Sequence, residues 1–280
     1  MIKTRDKESD FEILLSTMNR TSLTFLEDMF PDDSFLNYNI LIINQVSEGE
    51  DLKSNFNNIR VINSFEKGLS KSRNLAIKNA KGHICLLADD DVKYVSGFKE
   101  IILNAFKKYD RADMVTFQLV NSKGKLFRNY PNITIHNERT IGTANTVVVA
   151  FKRNNIIEKN ALFNVYFGLG ATFRTGGEYV FLRSALRKGV KIFFEPRILL
   201  EHPDFSSGQA MNDNIFYARS AIFYKYDGIL SYLKLVWHLF LMLKNKSLTT
   251  GQFFKRYKQG LKGISRYKEL LKQGLETRES

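Results

Sequence analysis

Short, predominantly apolar runs recur in the first half of the chain, and each run is followed by polar residues. The runs lie at 11–15, 38–43, 59–62 and 83–88. A strand that is apolar at successive positions is covered on both faces, which is typical of a mostly parallel sheet between layers of helices. The pattern therefore predicts an α/β fold with a mostly parallel central sheet flanked by helices.

Segments with apolar residues at helical spacing separate these strands. Helices are expected at 21–30, from Ser70 or Ser72 as the capping residue to Ala80, at 97–109 and at 178–188. Further strands are expected at 114–120, 146–151 and 190–195, and the pattern is helical after Asp204. The chain is therefore expected to form an α/β domain over 1–205, followed by a helical extension over 206–280.

Polar residues follow three of the predicted strands at the point where each strand ends. They lie at 17–20, 44–45 and 89–91. Ligands of open α/β sheets bind beyond the carboxyl ends of the strands. We therefore expect these three polar segments to meet on one rim of the sheet.

Three consecutive aspartates, Asp89, Asp90 and Asp91, form the most distinctive of these segments. Their mutual repulsion is relieved by a divalent cation, and oxygen ligands suit Mg²⁺ or Mn²⁺. A solvated acidic loop at the end of a strand is an equally good interpretation of the triplet alone. The neighbouring basic residues favour the metal.

Lys71 and Arg73 are expected in the first turn of the helix that precedes the aspartates. The helix dipole disfavours cations at that end, so their placement indicates an anion nearby, either a diphosphate or the acidic triplet itself. Alternatively, both long side chains extend into solvent. Acidic and basic clusters one strand apart are what a metal–nucleoside-diphosphate site needs.

The net charge is concentrated near the C-terminus. The chain of 280 residues has 42 Lys and Arg and 29 Asp and Glu, a net charge of +13, and residues 244–272 contain nine basic residues and one acid, Glu269. Apolar residues make up 44%, which excludes a disordered chain. Because the basic residues lie in the tail while acids gather at the predicted site, no nucleic-acid partner is expected.

Residues 229–243 are apolar almost all round and precede the basic segment. Fifteen residues fall short of the roughly 20 that span a bilayer. Peripheral attachment to an anionic membrane is therefore expected; alternatively, the helix packs on the catalytic domain. A single cysteine, Cys85, and a charged segment at 1–10 indicate a reduced compartment and no secretory signal, hence the cytoplasm at the inner face of the membrane.

The order of these motifs resembles the family 2 glycosyltransferases of the GT-A fold, whose central sheet is Rossmann-like. The resemblance covers about 11–203 and is carried by Ser-Thr-Met-Asn-Arg at 16–20, Gly-Leu-Ser-Lys-Ser-Arg-Asn at 68–74, Leu-Leu-Ala-Asp-Asp-Asp-Val at 86–92 and Thr-Gly-Gly-Glu-Tyr-Val-Phe-Leu at 175–182. Within the family, the chain is similar to bacterial enzymes that build capsular or lipopolysaccharide glycans.

The resemblance implies roles for most residues of the predicted rim. Asn44 stands where the family usually has an aspartate that contacts the uracil ring, and Ala88 stands where many relatives have the first acid. Nucleotide-sugar contacts are implied for Thr17, Asn19, Arg20, Asn44, Arg73, Asp89 and Asp90, and contacts with Mn²⁺ or Mg²⁺ for Asp91, Asp89 and His202.

Glu178 is the candidate catalytic base, because alignment through Phe181-Leu182 places it at the family's catalytic aspartate. A carboxylate there deprotonates the acceptor hydroxyl, and a single displacement inverts the anomeric carbon. The resemblance thus implies transfer from a UDP-sugar to a glycan or lipid-linked acceptor. Three alternatives remain: Glu178 as a helix N-terminal acid, a nucleotidyltransferase that releases pyrophosphate, and a non-enzymatic module that binds anionic membranes or nucleic acid.

Overall fold

The computed structural model describes residues 10–47, 49, 51–203 and 213–278. Two compact units are present. The first unit contains the described residues up to Phe163 together with those from Phe181 to Pro203, and the second contains Asn164–Val180 and the described residues from 213 onward. The predicted domain boundary between residues 205 and 206 lies outside the described residues.

Eight strands form one sheet in the described part of the first unit, in the order β3-β2-β1-β4-β7-β6-β8-β5. Pairing is parallel from β3 to β4 and between β6 and β8, whereas β7 is antiparallel to both neighbours and β5 to β8. The mostly parallel sheet is therefore confirmed. The strands are β1 Phe11–Met18, β2 Ile40–Gln45, β3 Ile59–Ser64, β4 Ile84–Asp89, β5 Lys93–Tyr94, β6 Met114–Asn121, β7 Val149–Lys152 and β8 Ile192–His202.

Helices flank the sheet and make up most of the C-terminal part. None in the described part of the chain is long and apolar enough to cross a lipid bilayer. The helices are α1 Phe25–Met29, α2 Leu69–Asn79, α3 Phe98–Lys108, α4 Arg153–Glu158, α5 Gly177–Arg187, α6 Asp213–Asp227, α7 Ser231–Lys244 and α8 Thr250–Lys272.

The core of the first unit follows from the continuous apolar strands. Leu14, Leu41 and Leu87, at the centres of β1, β2 and β4, have no exposed surface. Helix α3 turns Phe98 and Ile102, four residues apart, into one buried cluster with Leu15 and Leu86. These two residues lie next to Leu14 and Leu87 in sequence and face the opposite side of the sheet. Because both faces of these strands are covered, a ligand site is expected beyond the strand ends, as in other open α/β sheets.

The start of α2 differs from the prediction. The helix begins at Leu69 after Gly68, whose φ of 126° favours glycine, and no side-chain cap is present. Ser72 is instead buried within the helix, with its hydroxyl 2.9 Å from that of Ser16 on β1. The Gly68 amide donates to the side-chain oxygen of Gln45, at 2.7 Å. The first turn of α2 is thus fixed against the ends of β1 and β2.

Close helix packing characterises the second unit. A Cβ on Gly263 of α8 would overlap the carbonyl group of Tyr217 on α6, so a glycine is required where these helices meet. A Cβ on Gly260, one turn earlier, would lie 2.6 Å from the hydroxyl of Ser220. The close contact between α6 and α8 therefore depends on the absence of side chains at Gly260 and Gly263.

A buried polar cluster, here called the Glu276 network, also belongs to the second unit. The ammonium of Lys225, a residue only 1% exposed, donates to Glu276 Oε2 and to the Thr277 carbonyl, both at 3.1 Å. Tyr267 donates to the same carboxylate oxygen at 2.7 Å, and the Asn164 amide donates to Oε1 at 2.8 Å. The network joins residue 276 to the start of the segment Asn164–Val180.

Candidate functional site

The polar ends of three strands lie side by side, as the sequence predicts. In the parallel register, Thr17 of β1 is opposite Asn44 of β2, and Ser16 is opposite Asp89 of β4. The segments at 17–20, 44–45 and 89–91 therefore meet on one rim of the sheet. The functional roles assigned to their residues remain predictions.

Asp90 holds the loop that follows β1. One of its oxygens accepts hydrogen bonds from the Thr17 hydroxyl at 2.6 Å and from Arg20 Nε at 2.8 Å. Asn19, between these two donors, has a φ of 54°, a left-handed conformation that asparagine tolerates better than most residues. Asn19 thus forms the turn that brings Arg20 back to the aspartate.

Asn44 is fully buried, and its amide fixes the same loop. Its oxygen accepts from the Arg20 backbone N–H at 3.1 Å, and its nitrogen donates to the Arg20 carbonyl at 2.8 Å and to Asn63 Oδ1 at 3.2 Å. A carboxylate has no proton to donate to these two oxygens. This explains in physical terms why an amide occupies the position.

Arg73 neutralises Asp89. The arginine is 3% exposed, and its Nη2 lies 2.8 and 3.1 Å from the two Asp89 oxygens. Its Nε is also buried and has no hydrogen-bond partner among the described residues. Lys71 differs, because its side chain is 42% exposed and lies 3.9 Å from Glu66. Of the two predicted basic residues, Arg73 faces the acidic triplet and Lys71 faces solvent.

Asp91 and His202 come together because β5 pairs with β8, with Lys93 opposite Glu201. His202 Nε2 lies 3.8 Å from Asp91 Oδ1. Partial desolvation raises the pKa of Asp91, opposed by His202, while the charges of Asp89 and its neighbour Asp90 add to the rise. Asp91 is thus the carboxylate of the triplet whose negative charge is least compensated.

The tautomer of His202 follows from its second nitrogen. Nδ1 lies 2.8 Å from the Pro203 carbonyl oxygen, which can only accept, so Nδ1 carries a proton. In the neutral ring, Nε2 therefore presents its lone pair toward Asp91. A histidine that donates through one nitrogen and is free to ligate through the other is the usual arrangement in metal sites.

Asp91 and His202 belong to the residue types that bind divalent cations such as Mn²⁺. Among residues 10–203 and 213–278, positions 48 and 50 excepted, no cluster of three or more His, Cys, Asp or Glu is arranged to hold a metal ion. Two protein donors are nevertheless available in Asp91 and His202. Mg²⁺ is commonly held by one or two carboxylates, with water and substrate phosphates completing its shell.

Glu178 belongs to the second unit and lies in the first turn of α5, one residue after the helix begins. The helix dipole favours a carboxylate at that end. A Cβ on Gly177 would lie 2.9 Å from the Phe167 carbonyl oxygen, and Gly176 has a φ of 81°. The two glycines thus allow a tight approach of the chain just before Glu178.

Two supporting roles were not predicted: the sequence placed Gln45 on the rim without assigning it a role, and Asn63 was not singled out. Gln45 anchors the start of α2, and Asn63, at the end of β3, exchanges hydrogen bonds of 3.0 Å with the Leu52 backbone while accepting from Asn44. Both are polar residues at the end of an apolar strand. The same signal that identified Asn44 could therefore have indicated these roles.

Comparison with known proteins agrees with this architecture. The family model described as glycosyl transferase family 2 matches residues 21–188. No protein among the curated sequences matches the chain.

Solved structures with a similar fold include those of TarS from S. aureus. The TarS 1–349 complex with UDP-GlcNAc has a TM-score of 0.58 at 11% identity, and the complex with UDP has 0.55 at 11%; each match covers 95% of this chain and 92% of that chain. A longer TarS structure has a TM-score of 0.53 at 14% identity, over 76% of this chain and 39% of that one. At these identities, the likeness shows the fold.

Proposed function

Because this chain belongs to glycosyl transferase family 2, we propose that it transfers a sugar from a nucleoside-diphosphate donor, a UDP-sugar, to a hydroxyl of a glycan or lipid-linked acceptor. One observation carries the proposal: Arg73 and Arg20 bind two of the three rim aspartates, and the third, Asp91, faces His202. TarS, which shares the fold, binds UDP-GlcNAc and UDP. That supports the donor class.

The loop after β1 is proposed to receive the nucleotide. Thr17 and Arg20 are both held by Asp90, and the Arg20 side chain remains 41% exposed. A guanidinium that is oriented but accessible can pair with a phosphate. We assign Asn44 a supporting role, because its amide groups hold Arg20 in place. Arg73 and Asp89 complete the donor side of the site.

Asp91 and His202 are the residues that would hold Mn²⁺ or Mg²⁺. When bound, the cation would neutralise the diphosphate and so stabilise it as a leaving group. The protein contributes by holding His202 Nε2 toward Asp91 through the Nδ1 hydrogen bond to Pro203. Asp91 is also the least neutralised carboxylate of the triplet, which favours a cation beside it.

Glu178 is proposed as the base. Its carboxylate accepts the proton of the acceptor hydroxyl while the hydroxyl oxygen forms a bond to the anomeric carbon. The bond from that carbon to the diphosphate oxygen breaks at the same time, and the electron pair leaves with the nucleoside diphosphate. One displacement inverts the configuration, and the protein forms no covalent intermediate.

The proposed setting is the synthesis of bacterial surface polysaccharide at the cytoplasmic face of the membrane. The motif order that resembles capsule and lipopolysaccharide enzymes supports it, as does the basic C-terminal part of the chain. Acceptors for such glycans are carried on lipids, so a transferase that acts on them works at a membrane surface.

The experiment that tests the proposal incubates the purified chain with Mn²⁺ and a panel of UDP-sugars, with donor binding followed by calorimetry and UDP release by a coupled assay. Asp91→Asn should abolish transfer and weaken donor binding, whereas Glu178→Gln should abolish transfer alone. Glu158→Gln, at an exposed position on α4, should change neither.

Three outcomes would contradict parts of the proposal. Absence of both donor binding and donor hydrolysis across the panel would count against the activity. Equal losses of donor affinity in the Asp91 and Glu178 variants would refute the separate roles. Release of pyrophosphate in place of UDP would indicate a nucleotidyltransferase.

A further inference from the structure

Helix α7 is apolar on two opposite faces. Leu235 and Leu239, four residues apart, are 1% and 0% exposed and pack in the second unit with Phe216 and Leu248. The opposite face is exposed and is here called the α7 outer face. It consists of Leu230 just before the helix, Leu233, Trp237 and Phe240, which are 60%, 70%, 60% and 51% exposed.

The spacing of these residues makes the outer face continuous. Leu233, Trp237 and Phe240 follow one another at intervals of four and three residues, so their side chains form one row along the helix. Lys244, four residues beyond Phe240 and exposed, continues the same row. The row is therefore a strip of large apolar side chains that ends in a cation.

The sequence that contains this strip and follows it is basic. From residue 228 to residue 268 the sequence contains no Asp or Glu and nine Lys or Arg. On α7 itself the basic residues are Lys234, whose ammonium lies 2.7 Å from Asp227, and Lys244; Lys246 follows the helix. Beyond it, α8 contributes exposed Lys255, Lys258 and Lys262.

We propose that the α7 outer face docks on an anionic membrane surface. Apolar residues that include a tryptophan, on a helix with lysines and no acids, match the boundary between acyl chains and negatively charged headgroups. The lysines can extend their ammonium groups to the headgroups while their methylene stems cover apolar surface. A second copy of the chain is a poorer match, because protein–protein interfaces are depleted in lysine and this face would meet its own positive charge.

Docking deepens the proposed function, because it indicates the class of acceptor. Docking can nevertheless be tested without the transferase activity. If the chain is a transferase, as proposed, a face that lies on the bilayer selects acceptors that are anchored there, so the acceptor class is a lipid-linked glycan. Membrane binding by itself requires neither the donor nor an intact catalytic residue.

The test is sedimentation of the whole chain with vesicles, in the absence of donor. Vesicles of phosphatidylcholine mixed with phosphatidylglycerol should bind the protein, and vesicles of phosphatidylcholine alone should bind it much more weakly. Leu233→Ser combined with Trp237→Ser should lower partitioning by at least about tenfold. Lys244→Gln and Lys246→Gln should each lower it about fivefold, and added salt should do the same.

Leu36→Ser is the matched control, since Leu36 is 46% exposed in the first unit and lies outside the basic region. It should leave binding unchanged. Vesicle binding that the Leu233 and Trp237 changes leave intact would overturn the proposal. So would a dimer in solution, measured by light scattering, that these changes abolish while vesicle binding is absent.

Failure of the two proposals can be told apart. Vesicle binding without turnover of any UDP-sugar would leave docking intact and refute the activity. Turnover with a soluble acceptor but no vesicle binding would refute docking alone.

Discussion

Replacing Glu276 by glutamine tests whether the Glu276 network holds the second unit together. The change keeps the shape of the side chain but removes its charge and one acceptor oxygen, while Lys225 stays buried with its ammonium in place. Removing one partner of a buried ion pair destabilises a protein by about 3–5 kcal/mol, because the remaining charge is poorly compensated. The amide retains one acceptor, so we expect a loss near the lower end, about 3 kcal/mol.

Glu269→Gln is the matched control in the same unit. Its carboxylate lies 2.9 Å from Arg266 three residues away, and both side chains are substantially exposed. Exposed pairs of this kind contribute little to stability, because solvent screens the two charges. Urea unfolding followed by the fluorescence of Trp237, the single tryptophan of the chain, reports on the second unit.

A double variant separates the charge from the packing. Lys225→Met combined with Glu276→Leu removes both charges, and apolar replacement of a buried pair is often neutral or stabilising. The double variant should therefore be more stable than Lys225→Met alone or Glu276→Leu alone. If Glu276→Gln and Glu269→Gln unfolded at similar urea concentrations, the assignment of the pair as a stabilising element would be wrong.

Three further predictions concern packing, pH and the rim. Gly263→Ala should lower the free energy of unfolding by about 1–3 kcal/mol, because the added methyl group overlaps α6. Gly251→Ala, in open space on the same helix, should raise that free energy by up to about 1 kcal/mol. In thermal unfolding, the melting temperature should therefore fall for the first variant and rise for the second. Burial lowers the pKa of His136 from 6.5 to about 4, so only the unfolded chain binds a proton at this residue as the pH falls from 6.5 to about 4. The free energy of unfolding should therefore drop by up to roughly 3 kcal/mol over this range. Unfolding measured over a series of pH values should show a smaller drop for His136→Asn. Asn44→Asp should destabilise the protein by about 1–3 kcal/mol and weaken UDP binding, since the Arg20 carbonyl loses its donor; calorimetry with UDP showing unchanged affinity would contradict it.

The continuous strands and the convergence of their ends could be predicted from the sequence. A strand buried on both faces shows as an unbroken apolar run, so β1, β2 and β4 were each found within three residues of their ends. The rule that ligands bind beyond the carboxyl ends of such strands then placed Asp89 and its neighbours on the same rim as Asn44. The local hydrophobic pattern predicts these strands because each buried position by itself favours an apolar residue.

Other features depend on partners that the local pattern does not contain. The helix expected at 21–30 is only Phe25–Met29; Pro31 disfavours a helical conformation at the residue before it, Phe30. The antiparallel direction of β7 is set by its neighbours β4 and β6. The hydrogen bonds of Asn44 likewise join residues about 20 or more positions apart.

The bond between Asn164 and Glu276 joins residues 112 positions apart, which fixes an order of events during synthesis. The segment that follows Asn164 emerges from the ribosome long before residue 276 does, and it must wait for that residue to close the network. The nascent polypeptide therefore carries Glu178 through the translation of about one hundred further codons before its surroundings are complete. Strand β8, the last described strand of the first unit, ends at His202, so every described strand of that unit is synthesised before the network of the second unit can close.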